Sequence, residues 1–280
     1  MKEKMTKSQS IVHHNSSVPL PFVISLPHCS SRVPGEIRST FALSDKQIEE
    51  STDVGTKEIF GSIPAKAVVS ARWSRLLVDL NRGPDQLNSK GVIALKDYHG
   101  RVIYREDCIP DKQETERRLK KYYRPFHDHL RAALDDKDIK GLFDCHSLNG
   151  IGPLEAPDAG KKRRDIILSN NGDETGDQNP ALGKTTCPAE TLYMIREAFR
   201  GAGFSVSINN PYAGGFITTH YGGIFSGTGR IAVQMEINQD LYLEPGTMRL
   251  ETNKLKSVRD NVFRSFKEIA RELLSREFRC

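Results

Sequence analysis

The sequence predicts a single α/β domain, and three observations support this prediction. Its 280 residues are enough for one large domain with a substantial core. Short apolar runs alternate along the chain with longer segments of helical composition, which is the order of elements in an α/β fold. Two of the apolar runs end in a histidine followed by small hydroxyl residues, and ligands bind outside the carboxyl ends of strands in such sheets. We therefore expect a functional site at one edge of a sheet.

The charge and cysteine content exclude several classes of protein. The net charge is +5, but lysine and arginine are interleaved with aspartate and glutamate, which favours a small anionic substrate over nucleic acid. The five cysteines are scattered, odd in number and without a C-x-x-C pair, so neither a disulfide framework nor a thiolate zinc site is expected. No signal peptide and no apolar run of ~18 residues is found, which predicts a cytoplasmic protein with no membrane partner.

The first half of the chain begins with a polar stretch at residues 1–18, which is predicted to be a flexible arm. Residues 19–280 are predicted to form the single domain. Its first elements are a strand at 22–26, a helical region at 45–60, strands at 67–71, 75–82 and 101–104, and a helix at 111–134. Ser44 and Gln47 form a capping-box pattern at the start of the helical region, and Gly55 is expected to interrupt it.

The second half of the chain continues the alternation of strands and helices. The predicted elements are strands at 142–145, 165–169, 204–208 and 230–238, and helices at 189–200 and 247–276. Residues 170–186 form a long polar loop, and residues 209–223 are rich enough in glycine and asparagine to predict a loop that approaches a ligand. The basic run at 161–164 is predicted to be solvated.

Polar residues at the ends of two predicted strands indicate one metal site. The run Gly-Leu-Phe-Asp-Cys-His-Ser at 141–147 ends in Asp144, His146 and Ser147, and an earlier apolar run ends in His28. A single histidine is more often a structural residue that forms hydrogen bonds. The repeated position at a strand end favours metal binding instead.

A zinc hydrolase needs three nitrogen or oxygen ligands, an open position for water and a carboxylate that takes a proton. His28 and His146 supply two ligands. Glu236 is predicted to be the base, because a carboxylate inside an apolar strand needs a partner or a role, although an ion pair with an arginine would also satisfy it. The third ligand should be an acid. The candidates are Asp53, which is preferred, and then Glu49, Glu50 and Asp144.

Five short segments extend this pattern. They are Pro-His-Cys-Ser at 27–30, Asp-Leu-Asn-Arg at 79–82, Asp-Cys-His-Ser at 144–147, Asn-Pro-Tyr-Ala-Gly-Gly-Phe-Ile-Thr-Thr-His-Tyr-Gly at 210–222, and Gln-Met-Glu-Ile-Asn-Gln-Asp-Leu-Tyr at 234–242. Together and in this order they resemble the N-formylglutamate amidohydrolase family, from about residue 20 to residue 245. No single segment would be sufficient.

The resemblance implies a fold and a metal. The fold is a mixed, mostly parallel sheet flanked by helices, similar to the zinc carboxypeptidases (phosphorylase/hydrolase-like) and the aspartoacylase group. The metal is one Zn²⁺ ion, with another divalent metal as the alternative. On this resemblance His28 and His146 match zinc ligands and Glu236 matches the catalytic glutamate. The wider superfamily has an acidic ligand three residues after the first histidine, where this chain has Ser31, so Asp53 becomes the expected third ligand.

The resemblance also implies residues that bind the substrate. Arg75 is expected to polarise the scissile carbonyl, and Asn81 and Arg82 to hold a substrate carboxylate, as guanidinium groups do well. Arg82 could instead form an ion pair with Asp79. The residues expected on the substrate side of the glycine-rich loop are Gly214, Gly215, Thr218, Thr219 and His220. His220 could instead support a metal ligand.

The implied activity is hydrolysis of N-formyl-L-glutamate to formate and L-glutamate, within histidine degradation. Glu236 would take a proton from the attacking water and pass it to the leaving amine. The alternatives are the same chemistry on another N-acyl amino acid or small peptide, and a non-catalytic metal-binding or ligand-binding protein on this fold. Binding of nucleic acid is disfavoured, because aromatic residues are rare among the basic ones. The sequence does not determine the oligomeric state.

Overall fold

The computed structural model describes residues 10–13 and 19–277, and its centre is a seven-stranded sheet. The strands are β1 (Ser10–His13), β2 (Leu20–Leu26), β3 (Ala65–Ala71), β4 (Gly141–Leu148), β5 (Ile166–Ser169), β6 (Val206–Ile208) and β7 (Ile231–Asn238). Their order in the sheet is β1-β3-β2-β4-β7-β5-β6. The β1–β3 and β5–β7 pairs are antiparallel, and the other four pairs are parallel.

Helices cover both faces of this sheet. They are α1 (Gly35–Arg38), α2 (Asp45–Glu50), α3 (Thr56–Phe60), α4 (Lys112–Arg118), α5 (Arg124–Leu134), α6 (Ala189–Gly201), α7 (Phe216–Ile224) and α8 (Thr252–Glu277). A π-helical turn, Leu119–Tyr123, joins α4 to α5, and short 3-10 helices lie at Glu106–Cys108 and Gln239–Leu241. The predicted α/β fold with a mixed, mostly parallel sheet flanked by helices is confirmed. In the described part of the chain, no helix combines the length and the apolar character that crossing a bilayer requires.

The alternation of side chains along each strand divides the core into two layers. On β2, Phe22 and Ile24 point into the layer formed with α3, α6 and α8, whereas Val23 points into the layer formed with α5 and α7. Both faces of the central strands are therefore apolar, as expected for parallel strands that are covered on both sides. The Phe266 ring of α8 packs edge-on against Phe143 of β4, with ring centroids 4.8 Å apart.

Four adjacent parallel strands, β3, β2, β4 and β7, place their carboxyl ends at one edge of the sheet. One face of this sheet changes from apolar to polar towards that edge. On β4, Leu142 lies in the core, and Asp144 and His146 follow on the same face. The register of the β4–β7 pair places Glu236 directly opposite His146. The edge therefore collects ionisable side chains from separate strands.

Several elements differ from the prediction. Residues 75–82 form an irregular buried segment rather than a strand, and its apolar residues pack against the helices beside it. Residues 101–104 make only isolated bridges with other segments. The helical region at 45–60 is divided into α2 and α3, which confirms the predicted interruption, and Gly55 between them has a φ of 86°.

Both ends of the chain depart from the prediction. Residues 10–13, which fall inside the predicted arm, form β1 and pair antiparallel with β3. The rest of the predicted arm, residues 1–9 and 14–18, lies outside the described residues. The long closing helix begins at Thr252, five residues later than predicted.

Candidate metal and active site

Three buried side chains from separate parts of the chain meet at the carboxyl edge of the sheet. His28 follows β2, Asp53 follows α2 and His146 lies on β4. Their candidate ligand atoms all lie within 4.8 Å of one another. The backbone N–H of Asp53 donates to the carbonyl of His28 over 3.0 Å, which holds these two segments together. We call these residues the His–Asp–His cluster.

The Nδ1 atoms of both histidines face the Asp53 carboxylate. His146 Nδ1 lies 3.0 Å and His28 Nδ1 lies 3.7 Å from Asp53 Oδ2. His28 Nδ1 is buried and has no hydrogen-bond partner within the described residues. A buried nitrogen without a partner is costly unless something binds it. Two imidazole nitrogens and one carboxylate oxygen are a donor set that zinc accepts, so the residues fit a divalent metal.

A second carboxylate contacts the opposite nitrogen of each ring. His28 Nε2 donates to Asp79 Oδ1 over 2.8 Å, and His146 Nε2 donates to Asp144 Oδ2 over 3.0 Å. Such partners fix the tautomer and orientation of metal-binding histidines. The sequence analysis did not assign these roles to Asp79 and Asp144. A signal was available for Asp144, because residues two apart on a strand share one face.

The other acids proposed as third ligand lie elsewhere. Glu49 is exposed on α2, and Glu50 pairs with Arg101. Asp144 is at the Nε2 side of His146, away from the Asp53 side. Among the candidates of the sequence analysis, only Asp53 joins both histidines.

The charges around the cluster favour a cation there. Burial and the nearby Arg75 guanidinium lower the pKa of His28, which keeps its ring neutral and able to bind a metal. Burial also lowers the pKa of His146, but the Asp144 and Asp53 carboxylates outweigh it and raise this pKa well above its ordinary value. The same carboxylates would attract a proton or a metal ion.

Glu236 of β7 borders the same cavity as the cluster. Gln234 donates its side-chain amide to Glu236 Oε1 over 3.1 Å. Burial, opposed by the positive charge of His146, raises the pKa of Glu236 to about 8. A carboxyl group with a pKa near neutrality can both accept and return a proton.

A cavity of about 550 Å³ opens above these residues. The cationic side chains that line it are Arg75, Arg82, Lys90 and Arg163. Three of them are paired with carboxylates. The pairs are Arg75 with Asp79 at 2.7 Å, Lys90 with Glu155 at 2.7 Å, and Arg163 with Asp158 at 2.6 Å. Arg82 instead donates to the carbonyls of Lys90 and Asn81 and to the Tyr98 hydroxyl, and it forms no ion pair within the described chain.

The ion pair of Asp79 therefore differs from the one considered in the sequence analysis. Asp79 binds Arg75, not Arg82, and also accepts from His28 and from the backbone N–H of Asn81. Burial raises the pKa of Asp79, but Arg75 and His28 outweigh it and hold this pKa well below its ordinary value. Asp79 is thus an ionised residue whose hydrogen bonds connect the His–Asp–His cluster to the segment that carries Asn81 and Arg82.

The predicted glycine-rich loop is only partly a loop. Its second half forms α7, so the residues that follow Gly215 are distributed around a helix. Gly214, Gly215 and Thr219 line the cavity. Thr218 is fully buried and the His220 ring stacks on Phe216 at 4.9 Å, and neither residue lines the cavity with them.

Arg163 is a cavity residue that the sequence analysis missed. Its neighbours in the basic run, Lys162 and Arg164, are exposed as predicted, but Arg163 is buried. Its guanidinium binds both oxygens of Asp158, at 2.7 and 2.6 Å, and donates to the Tyr212 hydroxyl. Four consecutive basic residues carry no signal that distinguishes one of them.

The fold and this site define a class of α/β enzyme with a cation-lined cavity over buried histidines and carboxylates. The chain belongs to the N-formylglutamate amidohydrolase family, whose model matches residues 20–243. It is therefore an amidohydrolase that acts on a linear amide.

Proteins similar to this chain include two relatives and two solved structures. N-formylglutamate deformylase of Pseudomonas putida is 29% identical over 236 residues, covering 80% of this chain and 82% of the relative. The Pseudomonas aeruginosa enzyme of the same name is 28% identical, covering 80% and 83%. The crystal structure of an N-formylglutamate amidohydrolase from Ralstonia eutropha has a TM-score of 0.77 at 18% identity, covering 96% of this chain and 99% of that chain. A gene product of Agrobacterium tumefaciens has a TM-score of 0.67 at 18% identity, covering 96% of each chain. These two structures share the fold.

Proposed function

We propose that this chain hydrolyses N-formyl-L-glutamate to formate and L-glutamate. The observation that carries the proposal is the His–Asp–His cluster, with Glu236 opposite His146 in one cavity. Two relatives that cover most of the chain are named N-formylglutamate deformylase, which supports this substrate.

We propose further that His28 Nδ1, Asp53 and His146 Nδ1 hold one Zn²⁺ ion, with another divalent metal as the alternative. The unpartnered His28 Nδ1 and the carboxylate between the two rings support this assignment. When bound, such an ion polarises a carbonyl group and makes water more acidic. Asp79 and Asp144 keep both rings in the orientation that presents Nδ1 to the metal.

Glu236 moves the proton in this proposal. It takes the proton from the water that attacks the amide carbon, and it returns the proton to the nitrogen of the leaving amine. Gln234 orients the carboxylate for both steps through its hydrogen bond to Oε1. Arg75, fixed by Asp79, places positive charge where the carbonyl oxygen becomes negative.

Arg82 binds a substrate carboxylate in this proposal. It is the cavity arginine without an ion pair in the described chain, so its charge is available for a ligand. Asn81, Gly214, Gly215 and Thr219 line the cavity beside it and form the remaining part of the substrate site.

A second candidate is the same chemistry on another N-acyl amino acid or a small peptide. The volume of the cavity favours keeping this candidate, because about 550 Å³ lies well inside the ~300–1,000 Å³ range of small-molecule sites and leaves room for larger acyl groups. A cytoplasmic location and a place in histidine degradation stay predictions.

The test is the release of formate and free amino acid from a panel of substrates, with Zn²⁺ supplied and after chelation. The panel is N-formyl-L-glutamate, N-formyl-L-glutamine, N-acetyl-L-glutamate and N-formyl-L-leucine. We expect chelator-sensitive hydrolysis with N-formyl-L-glutamate preferred. A preference for another member of the panel would assign a different substrate to the same chemistry. Hydrolysis of none of them would contradict the proposal.

A further inference from the structure

Four proposed site residues, Arg75, Asp79, Asn81 and Arg82, come from residues 75–82, which we call the 75–82 segment. It is buried but belongs to no helix or strand. Buried backbone carbonyls need hydrogen-bond donors. Some carbonyls of the segment accept from backbone N–H groups, as Asp79 does from Arg82 and Asn81 does from Phe216. Others accept from side chains of other elements.

One helical element supplies three of these donors. The contacts are Arg118 Nη1 to the Leu77 carbonyl at 3.2 Å, the Tyr123 hydroxyl to the Arg82 carbonyl at 2.8 Å, and His127 Nε2 to the Leu80 carbonyl at 3.0 Å. The three donors lie on α4, the π-helical turn and α5. A row of side chains on one helical element thus follows the 75–82 segment from Leu77 to Arg82.

The π-helical turn puts these three side chains in register. In an α-helix, residues five apart point about 140° away from each other, so Arg118 and Tyr123 would not share a face. The turn Leu119–Tyr123 is closed by the N–H of Arg124 donating to the carbonyl of Leu119, five residues back. This wider turn brings positions five apart onto one face. Four residues after Tyr123, His127 continues the row with ordinary α-helical spacing.

His127 is a buried neutral donor. A carbonyl accepts and cannot donate, so the Leu80 contact requires the proton on Nε2. Nδ1 lies 3.1 Å from the Tyr221 hydroxyl, which also lies 3.2 Å from the His127 carbonyl and can donate to either. Burial lowers the pKa of His127 to about 4, which keeps it neutral. Arg118 is also fixed in place. Only 1% of its surface is exposed, and it donates to the Glu114 carboxylate and the Tyr104 hydroxyl as well.

We propose that Arg118, Tyr123 and His127 are positioning residues that hold the 75–82 segment in its catalytic geometry. The Leu80 carbonyl lies between Asp79, which orients His28, and Asn81, whose amide nitrogen is 3.2 Å from His146 Nε2. The Arg82 carbonyl belongs to the residue that binds the substrate carboxylate. The catalytic part of this inference, that these residues affect turnover of the substrate, rests on the proposed function. The mechanical part, that they hold the 75–82 segment in place, does not.

Hydrogen exchange tests the mechanical part. Tyr123→Phe and His127→Leu each remove one donor, His127→Gln keeps a donor near the position of Nε2, and Tyr193→Phe is the control. The Tyr193 hydroxyl also donates to a carbonyl, that of Thr175, but far along the chain from the 75–82 segment. We expect the first two variants to speed exchange of the amides at 76–83 by about five-fold or more, with β4 and β7 unchanged. His127→Gln should recover most of the protection, and Tyr193→Phe should not affect it.

Kinetics test the catalytic part. Tyr123→Phe should raise KM for N-formyl-L-glutamate by about three- to ten-fold with little change in kcat, because it loosens Arg82 and not the base. The effect should vanish when Tyr123→Phe is made in an Arg82→Met background, since the two residues act as one unit. Purely structural damage would instead lower kcat and add to the effect of Arg82→Met.

The outcomes separate this inference from the proposed function. Unchanged exchange at 76–83 in both donor-deleting variants, or a uniform increase across the sheet, would overturn the inference. If His127→Leu does not fold, Tyr123→Phe and His127→Gln decide it by the same readout. If the wild-type protein releases no formate, the proposed function fails, and the exchange data still decide whether the helix holds the segment.

Discussion

The two halves of the proposed active site are positioned by different forces. Its histidines and Glu236 lie on or next to central strands, where backbone ladders and buried side chains on both faces fix their places. The 75–82 segment belongs to no strand, and it is held by individual hydrogen bonds, three of them from side chains of one helical element. We call the histidines and Glu236 the sheet half of the site, and the 75–82 segment the segment half. Substitutions in the sheet half should change metal binding or proton transfer directly. Substitutions around the segment half should have smaller effects, because they change only the orientation of its side chains.

The largest effect is expected for Glu236→Gln in the sheet half. The amide keeps the shape of the side chain but cannot take a proton, so kcat should fall by about 1,000-fold while zinc content stays unchanged. Steady-state kinetics and metal analysis by mass spectrometry measure both quantities. Glu49→Gln, on the exposed face of α2, is the matched control and should change neither. Retention of most of the turnover would show that Glu236 is not the base.

The next effect is expected for Asp144→Asn, which lies behind a proposed ligand. The loss of a charged partner at His146 Nε2 should weaken zinc binding by about 10- to 100-fold without removing a ligand. Competition with a chelator of known affinity measures this change. Asp138→Asn, where the exposed side chain pairs with Lys66, serves as the control. An unchanged zinc affinity would mean that Asp144 does not support the metal site.

Arg82→Met probes the segment half of the site. It removes the cation proposed to bind the substrate carboxylate, so KM should rise by about 10- to 100-fold with a smaller change in kcat. Arg164→Met, an exposed position in a basic run, should leave KM as it is. A fall in kcat at constant KM would assign Arg82 to the transition state instead.

The last effect concerns stability and not catalysis, and it is a pH dependence through His127. Its pKa is about 4 in the folded protein and about 6.5 when unfolded, so the unfolded state binds more protons between these values. Its contribution is fully present above pH 6.5 and falls by about 3 kcal/mol as the pH drops to 4. Urea unfolding of metal-depleted wild type and His127→Gln, compared from pH 7 to pH 4, isolates it. Parallel pH profiles for the two proteins would contradict the assignment.

The sheet half was largely predictable from the sequence. A histidine at the end of an apolar run, and acids that alternate with apolar residues, translate directly into positions on strands. His28, His146 and Glu236 therefore lie together at the edge where the prediction placed them. The exception is the role of Asp144 and Asp79 behind the rings, which depends on the direction each ring nitrogen faces.

The segment half was much less predictable. The run of apolar residues in the 75–82 segment is typical of a buried strand. Here these residues are apolar because they pack against helices. Nothing in the sequence indicates that Thr218 and His220 lie on a helix and do not line the cavity. Arg163 looks like its solvated neighbours until the loop brings Asp158 to it. The place of the 75–82 segment is set by contacts between residues that are distant in sequence, whereas that of Arg163 is set by the conformation of its own loop.

The most direct test of the account is a zinc titration of metal-depleted protein, with formate release from N-formyl-L-glutamate measured at each addition. We predict that activity rises in proportion to added Zn²⁺ and stops rising at one equivalent. The His28→Ala variant, which loses one proposed ligand, should need a large excess. Full activity in the metal-depleted protein, or a rise that continues to two equivalents, would contradict the single site at His28, Asp53 and His146.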